Sequence, residues 1–177
     1  ANIKSKITIE PKNQRQEILG FGGSFTEASS SIYKELDEEK KEEIIESYFG
    51  ENGNKYSMAR THINSCDFSL GNYAHVEDEN DLELKTFSLE RNKISLIPMI
   101  NDALKKRKNN IRIMASPWSP PAWMKTTGKM NWGGKLKSKY RDTWADYYCK
   151  FITNCEKENV PIWGVSIQNE PEAKQTW

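Results

Sequence analysis

Glu170 stands where a carboxylic acid can do chemistry. It follows the apolar run Ile162-Trp163-Gly164-Val165-Ser166-Ile167 and precedes Pro171, a pattern that places it at the rigid end of a buried strand. A carboxyl group held there, partly desolvated by aromatic neighbours, keeps its proton more firmly than one in water. Such an acid can protonate a departing oxygen, which is what cleavage of an acetal requires. The same residue is equally suited to capping a following helix, and Asn169-Glu170-Pro171 alone is too short to choose. Three further residues carry comparable pairs of readings. Asp67 can accept hydrogen bonds from substrate hydroxyls or shape an Asx-turn. Trp118 can stack on the apolar face of a sugar ring or fill a core. Arg60 lies inside a strand run, where an unpaired charge is costly, so it should meet a carboxylate, in a site or in a structural ion pair.

These residues sit after, or within, four apolar runs. The first is Ile18-Leu19-Gly20-Phe21-Gly22-Gly23, the second Tyr56 to Ile63, the third Ile111 to Ser116 and the fourth Ile162 to Ile167. Helical patterns separate them. A tract from about Thr26 to Phe49 contains Asp37 as an internal N-cap, with Glu38 and Glu39 favoured in its first turn. Leu96, Ile97, Ile100, Ala103 and Leu104 have helical spacing, with Pro98 tolerable in the first turn. Trp144, Tyr147, Tyr148, Phe151, Ile152 and Cys155 form the clearest helical stripe, and they read as packing residues. Strands alternating with helices indicate a parallel α/β sheet. In such folds ligands bind beyond the carboxyl ends of the strands. Asn64-Ser65-Cys66-Asp67-Phe68, Pro117-Trp118 and Asn169-Glu170-Pro171 all fall there. The polar stretch 64–93 is too long for an idle connector. Residues 1–19, with Ile3, Ile7 and Ile9 alternating with polar residues before Pro11, read as an extended arm, and residues 20–177 as one domain.

Composition narrows the function classes. The 177 residues carry a formal net charge of +1, which gives no electrostatic case for nucleic acid or an anionic membrane as the main partner. Apolar residues are only 36%, yet 6 Trp, 7 Tyr and 6 Phe argue for a packed chain. No apolar stretch approaches the ~18 residues of a membrane-spanning helix, and Ala1-Asn2-Ile3-Lys4 has no signal-type apolar core. The three cysteines, Cys66, Cys149 and Cys155, have no framework spacing and read as free thiols. His62 and His75 lack spaced metal partners.

Taken in order, four segments resemble one family. Gly20-Phe21-Gly22-Gly23-Ser24-Phe25-Thr26-Glu27, Ser65-Cys66-Asp67-Phe68-Ser69, Ala115-Ser116-Pro117-Trp118-Ser119-Pro120-Pro121-Ala122-Trp123-Met124-Lys125 and Asn169-Glu170-Pro171 are together similar to glycoside hydrolase family 30, the glucosylceramidase-like enzymes. The resemblance runs from about residue 18 to the end. It implies a (β/α)8 TIM barrel, of which this chain supplies the first four βα units, with the N-terminal arm joining a side β-domain. It implies retaining hydrolysis of β-glycosides with no metal or other cofactor. The family's general acid/base maps onto Glu170, and the residue holding the sugar 2-hydroxyl onto Asn169. Asp67 and Trp118 map onto the sugar pocket, Phe68 onto its wall, and Arg60 onto the residue that orients the nucleophile.

The departure from the family is one of extent. The family's nucleophile is a second Glu after the seventh strand, and no residue of this chain maps onto it. Glu172 shares a strand end with Glu170 and is no substitute. Four strands alone leave two open sheet edges and an uncovered inner face. The expected partners are therefore a β-linked carbohydrate or glycolipid and the remaining half of the barrel, in the same or another chain, with a homo-oligomer as the alternative. The other readings are a β-1,6-glucanase or β-xylosidase of the same family, and a catalytically incomplete carbohydrate-binding fragment. The substrate class by itself favours secretion.

Overall fold

A computed structural model describes residues 5–173 and Trp177. Its elements alternate as the apolar runs require. Strand β1 spans Gly22–Ser24, followed by helices α1 (Glu27–Glu35) and α2 (Glu38–Phe49). Strand β2 (Met58–Ile63) leads through a long irregular segment to α3 (Glu90–Lys93) and α4 (Leu96–Lys106). Strand β3 (Arg112–Pro117), helix α5 (Arg141–Lys157) and strand β4 (Ile162–Val165) complete the order. The four strands form one parallel sheet in sequence order, β1-β2-β3-β4. This is the arrangement of consecutive units of a TIM barrel.

The helical tract expected over 26–49 divides into two helices at the internal N-cap expected at Asp37. Leu36 leaves the helical region with ψ 154°, and Asp37 starts α2 by accepting a hydrogen bond from the Lys40 amide at 2.9 Å. Thr26 and Ser29 close a capping box at the start of α1. Pro98 sits in the first turn of α4, where no intrahelical partner for its missing N–H is needed. The arm differs from its alternating pattern. Ile7 and Ile9 are exposed and residues 5–10 form no regular strand, while Ile3 lies outside the described residues.

The sheet has two unlike faces. Ala59 and Ile63 of β2 and Ile113 and Ala115 of β3 are buried, packed with Ile45 and Phe49 of α2, Ile100 and Leu104 of α4, and Tyr147 and Phe151 of α5. On the other face Ser24, Arg60, Met114 and Gly164 form one cross-strand row. Gly22 belongs to this sheet for a steric reason, since a Cβ there would lie 1.6 Å from the Met58 carbonyl oxygen. The outer strands carry uncovered apolar side chains. Phe21 beside β1 is 70% exposed, and at β4 Trp163 and Ile167 are 53% and 85% exposed.

The 64–93 segment is packed rather than idle. Tyr73, His75, Val76, Leu84 and Leu89 are buried. Its polar core is satisfied. The Tyr147 hydroxyl donates to Asn64 Oδ1 at 2.5 Å and accepts from the His75 amide at 2.7 Å. Asn64, at φ 61°, turns the chain out of β2 toward Asp67.

Candidate active site

Arg60, Asp67, Phe68, Trp118, Asn169 and Glu170 line one cavity of about 490 Å³ beyond the carboxyl ends of the strands. All six had been singled out from sequence, and they come from three different strand ends. Ser24, Thr26, His62 and Cys66 complete much of the wall.

Arg60 is the hub. Its Nε–H donates to Ser116 Oγ at 3.0 Å and its Nη2–H to Asn169 Oδ1 at 2.6 Å. The guanidinium carbon lies 4.6 Å from the centre of the Trp118 ring, within cation–π range. A carboxylate was expected to meet this charge. Among the described residues none does, and an amide, a hydroxyl and an indole face take its place. The two hydrogen bonds leave Nη1 without a protein partner among the described residues. Because the Asn169 carbonyl oxygen accepts from Arg60, its amide group is fixed as a donor. Trp118 gives one face to Arg60.

Glu170 lies farther from the strand than its sequence suggests. Strand β4 ends at Val165, and a short run continues beside β3, with Ser166 N–H donating to Ala115 O at 3.0 Å and Asn169 N–H to Pro117 O at 2.8 Å. Glu170 then enters the left-handed region at φ 43° before Pro171, a conformation that is unusual for a non-glycine residue and especially before proline. Its side chain is exposed rather than partly desolvated. With Trp118 and Asn169 it also borders a second cavity of about 360 Å³ walled by Leu136, Trp144 and Ile167. Glu170 thus stands on the ridge between two hollows.

Asp67 and Phe68 are exposed at the tip of a loop whose base is buried. Cys66 N–H donates to Ser69 Oγ at 3.0 Å, and Phe68 O accepts from Ala28 N–H at 2.9 Å. Two site elements were not legible as such. Ser116 is an unremarkable small residue in a strand run, and only its register opposite His62 places it under Arg60. His62, which the sequence offers only as an unsupported metal ligand, is structural. It accepts from Glu27 N–H through Nε2 at 3.2 Å, and its Nδ1–H donates to Asn64 O at 2.6 Å. Desolvation by burial lowers its pKa, against the opposing influence of the Asn64 carbonyl and Glu27.

Comparison with known proteins supports the fold and the family. The family model described as the glycosyl hydrolase family 30 TIM-barrel domain matches residues 18–176. Lysosomal acid glucosylceramidase of Mus musculus is 37% identical over 172 residues, covering 94% of this chain and 33% of that protein. The crystal structure of SrfJ from Salmonella typhimurium superposes with a TM-score of 0.90 at 41% identity, covering 94% of this chain and 37% of that one. The endo-β1,6-glucanase BT3312 superposes with a TM-score of 0.84 at 27% identity, covering 94% and 38%. The chain spans about a third of the length of the curated relatives it matches.

Proposed function

The chain belongs to glycosyl hydrolase family 30, and from that premise we propose that the protein containing it is a retaining β-glycoside hydrolase of the glucosylceramidase type, with Glu170 as general acid/base. The observation that carries the proposal is the meeting of Asp67, Trp118, Asn169 and Glu170 around one cavity. A sugar bound there has carboxylate oxygens of Asp67 to accept from its hydroxyls, an indole for its apolar face and the fixed Asn169 amide to donate to its 2-hydroxyl. Glu170, on the ridge to the second hollow, stands where a proton must reach the oxygen between sugar and leaving group.

In the reaction Glu170 gives its proton to the leaving oxygen. It then takes one from the water that releases the glycosyl-enzyme. Retention needs a second carboxylate about 5–5.5 Å from the first. We assign that role to a Glu outside this chain, supplied by the remaining half of the barrel in the same or another chain. Arg60 would orient it, since Nη1 faces no carboxylate of the described residues. The exposed apolar side chains at β1 and β4 support the presence of further strands against both edges.

A second reading, a β-1,6-glucanase, is favoured by the likeness to BT3312. Hydrolysis of glucosylceramide but not of β-1,6-glucan by the protein containing this chain supports the first, and the reverse supports the second. Glycan binding with no turnover on either substrate would assign the chain to a carbohydrate-binding role. The acid/base role is tested with Glu170→Gln. The variant should nearly abolish hydrolysis of glycosides with poor leaving groups, while sparing glycosyl-enzyme formation from a very good one. Full activity on both would refute the assignment.

A further inference from the structure

Helix α1 begins with a buried acid that the chemistry above does not use. Glu27 is 7% exposed, and its carboxylate receives three hydrogen bonds. Arg91 of α3 donates Nε–H to Oε1 at 2.7 Å and Nη2–H to Oε2 at 3.2 Å. The third donor is the backbone N–H of Leu70, at 2.8 Å from Oε2. Arg91 is itself pinned, with its guanidinium carbon 4.2 Å from the centre of the Tyr73 ring. Leu70 and Tyr73 bracket the far end of the loop that carries Asp67 and Phe68 at its tip. Burial alone would raise the Glu27 carboxyl, but the Arg91 and Leu70 hydrogen bonds and the Arg91 charge outweigh it and hold the group below the usual carboxylate range. At neutral pH the acid is therefore ionised in the closed loop.

Beside the clamp, the loop tip is tied to α1 by the bond from Ala28 N–H to Phe68 O at 2.9 Å. Asp67, Phe68 and Leu70 are exposed, so apolar burial does not hold them. An exposed loop tip without packing opens at low free-energy cost unless hydrogen bonds restrain it. We propose that the Glu27–Arg91 pair is a positioning clamp, which fixes the 66–70 loop so that Asp67 faces the sugar cavity. The proposal rests on the functional reading above, because Asp67 is the sugar ligand the clamp would serve. Glu27 and Arg91 touch no substrate. Their effect passes through the Leu70 amide and through the Gly71 carbonyl, which accepts from Arg91 Nη2–H at 3.4 Å.

The three cysteines provide the test. Cys66 lies buried at the base of the loop, Cys155 is buried in α5, and Cys149 is exposed. With Cys149 replaced by Ser, labelling by an aromatic disulfide reagent reports loop opening at Cys66 and wider unfolding at Cys155. Glu27→Gln should speed Cys66 labelling about 10- to 100-fold, as expected when charge-assisted hydrogen bonds are lost, with Cys155 little changed. Arg91→Met, altering the more exposed partner, should act alike, and Arg91→Lys should fall between. Both Glu27→Gln and Asp67→Asn should weaken binding of methyl β-glucoside, measured by calorimetry on the protein containing this chain. Equal acceleration at Cys66 and Cys155 would overturn the clamp. So would faster Cys66 labelling with glycoside affinity unchanged in Glu27→Gln but lost in Asp67→Asn. Absence of glycoside binding in the unmodified protein would refute the functional reading and the purpose assigned to the clamp, while the labelling ratio would still decide whether the pair holds the loop.

Discussion

Acid should loosen this fold well before its carboxylates titrate, because two imidazoles are buried as neutral groups. His75 is 4% exposed, between Phe87 and Phe151 and beside Tyr147. Its Nδ1–H donates to Ser88 O at 3.0 Å and its Nε2 accepts from Asn64 N–H at 3.3 Å. Protonation would set a new N–H against the Asn64 N–H, with no acceptor. Burial, opposed only by the Ser88 carbonyl, pushes the His75 pKa down to about 3. In the unfolded chain a histidine titrates near 6.5. Between those two values the unfolded state binds more protons, so stability falls as pH falls. The slope approaches ~1.4 kcal/mol per pH unit, and integration from pH 7 to pH 5 gives about 2 kcal/mol for His75. His62 acts in the same direction, its ring facing Tyr73, the Glu27 amide and the Glu27–Arg91 pair. The His75 loss alone is a sizeable share of the ~5–15 kcal/mol that holds a domain together. The depressed carboxyls, Glu27 among them, contribute stability that is lost only at lower pH. Urea unfolding followed by circular dichroism at pH 7, 6 and 5 measures the loss. His75→Gln should lower stability at pH 7 and flatten the pH dependence. A flat or rising stability between pH 7 and pH 5 in the unmodified chain would refute the burial argument.

Two more expectations concern the side chains that join the strand ends. Arg60→Met and Asn169→Ala should show a coupling of about 1–2 kcal/mol in a double-mutant cycle of urea unfolding. A coupling near zero would deny that Arg60 holds the 166–170 segment. Tyr147→Phe removes a donor to Asn64 and an acceptor for the His75 amide. It should cost about 2 kcal/mol and lower the melting temperature by ~4–8 °C, and an unchanged melting temperature would contradict the accounting.

Much of this molecule is legible in the order of its apolar runs. β2, β3 and α5 follow from the order and spacing of buried apolar residues, whereas β1 and β4 are marked by apolar runs whose side chains are largely uncovered. The convergence of Asp67, Trp118 and Glu170 follows from the parallel sheet, which delivers successive strand ends to one side. Local backbone geometry was not legible. The start of α2 was legible in the Asp37 cap, but the non-helical ψ of Leu36 just before it was not. The distance of Glu170 from β4 depends on the hydrogen bonds of Ser166 and Asn169 to β3, which no periodicity announces. Arg60 illustrates a different limit. Its position in a strand predicts a partner but not which one, because a guanidinium is satisfied by an amide, a hydroxyl or a ring face as well as by a carboxylate. Glu27 and Arg91 are 64 residues apart in sequence and meet only because α1 and α3 flank the same loop.

In the proposed function, one sugar ring would sit between Asp67 and Trp118 with its glycosidic oxygen presented to Glu170. A crystal structure of the protein containing this chain, soaked with an unreactive β-thioglycoside, measures it most directly. Sugar hydroxyls should lie on Asp67 and the linking sulfur within about 3–3.5 Å of a Glu170 carboxyl oxygen, a reach consistent with proton transfer. A glycoside bound elsewhere, or one seated in the cavity with Glu170 turned away from the linking atom, would contradict it.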